Sequence, residues 1–455
     1  MDEIRHIADG IHLISWRQFV GIAPFIRPVD KIFNVINAQI SSPETNLFGH
    51  LVLYTGFICS VFLVFDIAKR ILKGHTGYAF LAGLLFALHP LNVVNVYRLD
   101  LIAQQYATVF SLSLLRWSLI YDFQNRNASH FYVIAFCFIN LSVLSKETSF
   151  AQLLCIPFCA YVIRDAIGDK CRFRYFLNVL YMVISIELLY MIIRHYYLQG
   201  YDLEYSTRYT IDLSPSNIFK NIYLYLGSLF YLGDTIDFMM KTHLNKIITG
   251  IFVSMIFLLM IIGGIYAVIR QKDIASIKIA MSFLLLAVAG AFPIVVISHI
   301  SEHYDYSSSP YFCLLSVLLT CNIYTYVASK MTDKKRKLIS SLSVTCIVLI
   351  LIWMGYSVSD KLSYADRKSD KAKIYYRAIN EWLDKKDSHE TVCIRKPANF
   401  TTQSYNFFIT PDDDLVARIK FLVESLREIN LTLLIQEDSE SCRYLLSKTP
   451  SDKTI

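Results

Sequence analysis

Four short polar stretches stand beside the apolar runs of this chain. "FIRPVD" carries Arg27, "FALHPLNVVNVYRLD" carries His89, Arg98 and Asp100, and "LSVLSKETSF" carries Lys146 and Glu147. "SEHYDYSSSPY" carries Glu302, His303, Tyr304 and Tyr306, and the opening "MDEIRHIADG" adds Asp2 and Glu3. Carboxylates accept protons, and cations stabilise negative charge. Beside apolar runs such groups are expensive, which makes each one a functional hypothesis by default.

Each group also has a structural reading when taken alone. His89 before Pro90 can mark a helix kink, and Lys146 with Glu147 can form an ion pair at a hairpin. Arg98 can snorkel towards lipid headgroups, and Tyr304 and Tyr306 can belong to an interfacial aromatic belt. Asp2 and Glu3 can be a solvated terminus. Convergence argues against treating them singly, because five separate loops of a polar-poor protein supply them.

The elements that must position them are membrane helices. Hydrophobic residues make up 55% of the 455 positions and charged residues 18%, with mean hydropathy +0.42, which excludes an ordinary globular protein. "IITGIFVSMIFLLMIIGGIYAVI" and "LISSLSVTCIVLILIWMGYSV" exceed the roughly 18 apolar residues of a membrane span. The pattern predicts about ten helices, near 47–68, 77–96, 101–120, 130–146, 148–164, 174–196, 246–269, 277–298, 310–329 and 338–357. "KRILKG", "RDAIGDKCRFR", "RQKDIASIK" and "KMTDKKRK" are rich in Lys and Arg and fall on the cytoplasmic side by the positive-inside rule, which accounts for the net charge of +7 without nucleic acid. The loops with the chemistry-bearing residues then fall on the outer side. This alternation holds if the aromatic segment 217–239, "NIFKNIYLYLGSLFYLGDTIDFM", lies at the interface rather than crossing.

The resulting division is an outer loop at 1–46, a multi-span domain at 47–357 and an outer tail at 358–455. A chain that starts outside and first enters the membrane at residue 47 predicts a further span upstream. In the tail, "KAKIYYRAINEWLDKK" and "DDDLVARIKFLVESLREIN" read as helices and "TVCIRK" and "LTLLIQE" as strands, a small α/β-like domain. Cys393 and Cys442 lie in this tail and are a candidate disulfide if it is outside. No cysteine or histidine spacing suggests a metal site.

The order of the polar motifs resembles the polyprenyl-phosphate-sugar-dependent glycosyltransferases of the GT-C superfamily. The likeness is to the protein O-mannosyltransferases, the transmembrane O-mannosyltransferases with TPR tails, and their bacterial relatives. That pattern runs Asp-Asp, Arg-Pro, Leu-His-Pro, Ser-Lys-Glu and Glu-Arg-Tyr-Leu-Tyr-Pro-Ser. Here it is matched by Asp2-Glu3, "RPVDKIFNVINAQISSPETNLFGHLVLYTGF", "LLFALHPLNVVNV", "LSKET" and "EHYDYSSSPYFCLL", over about residues 1–330. The chain departs from the pattern at His303 in place of the late arginine, at Ser308-Ser309 in place of Pro-Ser, and at Val94 in place of a frequent acid. It also carries no TPR helices.

The resemblance implies an inverting transfer of a sugar from a polyprenyl phosphate to a hydroxyl on the outer face. Asp2, or Glu3 beside it, would be the general base for the acceptor hydroxyl. Arg98, Lys146, His303 and Arg27, with the phenols of Tyr304 and Tyr306, would meet the leaving phosphate. His89, Asp100, Glu147 and Glu302 would shape the pocket. No cofactor is firmly implied, although the reaction is compatible with a divalent cation. The acceptor is a glycan, a lipid or a protein. A transporter or lipid-linked-glycan flippase is the alternative, supported by Glu187 in "ISIELLYMII". Short loops and a compact tail point to a bacterial inner membrane with both termini periplasmic. The sequons Asn399-Phe-Thr and Asn430-Leu-Thr keep the endoplasmic reticulum as the other choice.

Overall fold

The computed structural model describes residues 27–40, 47–73, 75–124, 127–169, 171–198, 211–235, 238, 244–297, 302–330, 332–383, 392–395 and 433–436. The helices are α1 (Pro28–Ile40), α2 (Leu47–Ile71), α3 (Thr76–Leu88), α4 (Val94–Tyr97), α5 (Ile102–Ile120), α6 (Ala128–Ser145) and α7 (Phe150–Ile167). They continue as α8 (Phe173–Leu198), α9 (Pro215–Phe230), α10 (Leu244–Gln271), α11 (Ile274–Val295), α12 (Ser309–Lys330) and α13 (Asp333–Leu383). Short 3-10 turns stand at Pro90–Asn92, Leu99–Leu101, Glu147–Ser149 and Glu302–Ser307.

Among the described residues, eight helical stretches are long and apolar enough to cross a membrane, or nine if α3 and the segment to Tyr97 count as one bent span. Phe62, Phe80, Phe158, Phe252 and Phe292 are each more than half exposed on these helices. Apolar surface on that scale is untenable in water and is the lipid-facing belt of a polytopic membrane protein. Beneath it the helices pack closely. A Cβ on Gly264 of α10 would fall 2.5 Å from Leu319 Cβ of α12, so the missing side chain lets these two helices touch.

Two expected spans differ from the prediction. Ile102–Ile120, expected to cross at 101–120, is a helix but not among the eight, because its buried positions include Gln104, Gln105, Thr108, Ser111 and Ser118. It is an internal, polar helix, and the others shield it from lipid. The segment 77–96 breaks at His89-Pro90, with a bend of 51° between α3 and the stretch Pro90–Tyr97. Proline has no N–H and forces its predecessor out of the helical region, and His89 sits at φ −63°, ψ 121°.

By contacts the described residues fall into two units, one of 27–30 with 50–362 and the other of 31–49 with those beyond 362. α13 is continuous through the boundary expected at 357/358, joining the predicted span and the first predicted tail helix. In the second unit Val392–Arg395 (β1) pairs in parallel with Leu433–Gln436 (β2). The second tail helix, expected at 412–430, lies outside the described residues.

Within the first unit the helix ends sort by charge. Arg70 of α2 pairs with Asp169 beyond α7 at 2.5 Å, and Lys278 of α11 pairs with Asp165 of α7 at 2.7 Å. Arg164 of α7 donates to the carbonyls of Ser118, Leu119 and Tyr121 at the end of α5. Gln271 of α10 donates to Asn322 O of α12. The predicted basic loops therefore meet at one end of the bundle, and the other polar motifs gather at the opposite end.

α9 has 16 residues and is too short to rank among the crossing helices. Ser214 caps it and Pro215 occupies its first position, as helix starts favour. Its inner face, with Asn221, Tyr225 and Ser228, is buried, while Phe219 and Tyr223 point outwards.

Candidate functional site

At the polar end Arg27, just ahead of α1, reaches the 3-10 turn that links α6 to α7. Its Nε and Nη2 donate to the two carboxylate oxygens of Glu147 at 3.0 and 2.5 Å. This two-pronged geometry suits a planar guanidinium and is stronger than a single neutral hydrogen bond. Burial by itself would ease the proton off Arg27, but the Glu147 charge and hydrogen bonds outweigh it and hold the guanidinium firmly charged.

Lys146 takes a different partner. It lies in extended backbone at φ −158°, ψ 131°, while Glu147 begins the turn. The Lys146 ammonium is buried and sits 5.3 Å from the centre of the Tyr304 ring, a cation–π contact. The Glu147 carboxylate is held chiefly by the charge and hydrogen bonds of Arg27, and Lys146 adds only a weaker attraction. Arg27 in turn acts first as a brace on this hairpin.

Tyr304 and Tyr306 belong to the turn Glu302–Ser307 and are both buried, which separates them from an exposed aromatic belt. Tyr306 donates to Ser60 Oγ at 3.3 Å and packs against Phe86, and burial pushes its phenol up so that it stays neutral. The turn and the serine after it are held from α7, from the 3-10 turn Pro90–Asn92 and from α9. Gln152 of α7 donates to Ser307 O at 2.7 Å, and Ser309 donates to Asn92 Oδ1 at 2.8 Å. Ser228 of α9 donates to the fully buried Asp305.

His89 is fully engaged at the break after α3. Its Nδ1 accepts from Leu91 N–H at 3.3 Å, and its Nε2 lies 3.0 Å from the Leu229 carbonyl, which can only accept. The imidazole is therefore the neutral tautomer protonated at Nε2, a hinge fastener rather than a free acid or base. Lys361, from the far end of the crossing stretch of α13, closes the same region. Its buried Nζ donates to Pro90 O at 3.1 Å and Thr235 Oγ1 at 2.7 Å, and lies 3.5 Å from Asp234.

Arg98 is half-buried beside this region, where its N–H closes α4 on Val94 O. Asp100 lies in the turn Leu99–Leu101, and Glu302 and His303 open the turn Glu302–Ser307; the side chains of these three lie outside the description. Asp2, Glu3 and Cys442 lie outside the described residues, and so does the side chain of Cys393 in β1. The pairing of the two cysteines and the placement of the expected base are thus not part of this geometry.

Sequence reasoning passed over Asp305, Gln152, Asn92, Ser228 and Lys361. Asp305 lies in "SEHYDYSSSPY", where a carboxylate between two tyrosines is a usable signal. Gln152, an amide within an apolar helix, was another. Lys361 lies just past the predicted span and reads as a solvated end. Among the described residues no three His, Cys, Asp or Glu side chains are grouped to hold a metal ion. No family model, no curated protein and no solved structure matches the chain.

Proposed function

We propose that the chain is a GT-C-like membrane glycosyltransferase that moves a sugar from a polyprenyl-phosphate donor to a hydroxyl acceptor. One observation carries the reading. Three of the ordered motifs converge on the hairpin Lys146-Glu147, where Arg27 forks onto Glu147 and Tyr304 lies under Lys146. Ionisable groups gathered at one end of an apolar bundle are costly, and that cost is what makes them a functional hypothesis.

In this mechanism a carboxylate of Asp2 or Glu3 takes the proton of the acceptor hydroxyl as its oxygen bonds to the anomeric carbon. The anomeric carbon–oxygen bond to the lipid phosphate breaks at the same time, and the phosphate keeps the electron pair. Lys146 is the cation assigned to that developing charge, with Arg98 and His303 as further partners. The Arg27–Glu147 fork holds the hairpin that carries Lys146. Single displacement inverts the anomeric centre.

The test is transfer of labelled sugar from a polyprenyl-phosphate donor in membranes carrying Asp2→Asn, Glu3→Gln or both. Removing a general base lowers the rate by about 10²-fold or more. Full activity in the double variant would remove both carboxylates from the mechanism. A flippase would move the lipid-linked sugar across the bilayer without forming product, so scoring both translocation and product separates the two readings.

A further inference from the structure

The opposite, Lys- and Arg-rich end of the bundle carries a cavity that the reaction does not use. It measures about 480 Å³ and lies between α12 and the start of α13. Tyr324 lines it from α12, and Arg336, Lys337, Ser340, Ser341 and Thr345 line it from α13, with Val344 beside them. No carboxylate is among these lining residues. Their numbering advances in steps of about four, so they form one stripe along a helix face.

The stripe changes character along its length. Lys337 is followed on the same face by Ser341, then Val344, Val348 and Ile352, and the last three are exposed. A ligand matching it carries negative charge and hydrogen-bond acceptors at one end and hydrocarbon at the other. Only 12% of the most apolar stretch of α13 is buried, the lowest share of the eight crossing helices, so this face is open to lipid. A free phosphate would leave the Val344–Ile352 face unmatched.

We propose that this groove binds the phosphate headgroup of an anionic phospholipid, with an acyl chain along α13. Arg336 and Lys337 meet the phosphate charge, and the hydroxyls of Ser340 and Ser341 donate to its oxygens. Thr345 already donates to Ser341 O at 3.0 Å, which holds that turn of the stripe in place. Basic pockets between membrane helices on the positively charged side are suited to such headgroups. The site is at the other end of the bundle from Lys146 and does not depend on the proposed reaction.

The full chain is purified in detergent, titrated with phosphatidylglycerol or phosphatidylcholine, and scored for bound lipid by native mass spectrometry. The wild type retains phosphatidylglycerol preferentially, and inorganic phosphate does not displace it. Arg336→Ala/Lys337→Ala weakens retention on the order of ten- to thirty-fold, while Arg336→Lys/Lys337→Arg keeps it. Ser340→Ala/Ser341→Ala, which leaves the charge untouched, lowers the preference a few-fold. Equal retention of both lipids, displacement by phosphate, or an equal loss in the Lys69→Ala variant, which changes a basic residue outside the groove lining, would overturn the proposal.

Discussion

Arg27 and Glu147 are 120 positions apart in the chain, yet two guanidinium nitrogens meet the two carboxylate oxygens at 3.0 and 2.5 Å. Both side chains are mostly buried, with 21% and 17% of their surface exposed. The pair ties the start of α1 to the hairpin that presents Lys146. Removing either member leaves the other charged and poorly solvated, the more expensive half of a broken pair.

Arg27→Ala and Glu147→Ala should each lower stability by about 1–3 kcal/mol. The double variant should lose less than the sum, a coupling that thermal unfolding in detergent can measure. Arg27→Lys keeps the charge and loses the fork, so it should fall between wild type and Arg27→Ala. Additive losses would mean that the fork carries no coupling energy.

Lys146→Met should leave the fold in place and abolish sugar transfer. Its loss of cation–π energy over Tyr304 is only about 0.5–2 kcal/mol. Tyr304→Leu should cost a similar amount of stability, and Lys146→Arg should recover part of the activity. Unfolding of the protein and initial rates of transfer, measured on the same samples, distinguish the chemical role from a packing role.

Lys361→Met should destabilise the protein by about 1–3 kcal/mol, because Pro90 O, Thr235 Oγ1 and Asp234 all lose the ammonium. Asp234→Asn in that background should restore part of the loss, since it removes the stranded charge. The comparison is again thermal unfolding, and an unchanged midpoint for Lys361→Met would show that the three contacts are not worth their burial.

Gly290→Ala is the sharpest steric test. The added Cβ would fall 2.4 Å from Gln152 Nε2 and 2.6 Å from Ser308 Oγ, both buried. Forcing them apart disturbs the bond from Gln152 to Ser307 O and should cost about 1–3 kcal/mol. Gln152→Ala should relieve part of the crowding, so the double variant should melt above the level expected from the two single losses.

How far these features were legible differs from residue to residue. The kink at His89-Pro90 follows from proline's missing N–H, and the alternating ends follow from Lys and Arg in "KRILKG", "RDAIGDKCRFR" and "RQKDIASIK". The internal character of α5 was only half legible. Its length reads as a span, while Gln104, Gln105 and Thr108 mark it as a helix that needs protein neighbours. The clustering of Arg27, Lys146 and Tyr304 at one end followed from topology, but their partners did not.

The amino-acid sequence by itself determined the lipid-crossing helices, because apolar length and terminal charge are local properties that the bilayer reads directly. The tertiary structure decided that Glu147 is held chiefly by Arg27 rather than by its neighbour Lys146. It also decided that Tyr306 faces Ser60 and that Lys361 closes the His89-Pro90 break. Each of these pairings joins side chains brought together only by helix packing. Their energies depend on burial and on distances of a few ångströms, which no local pattern encodes.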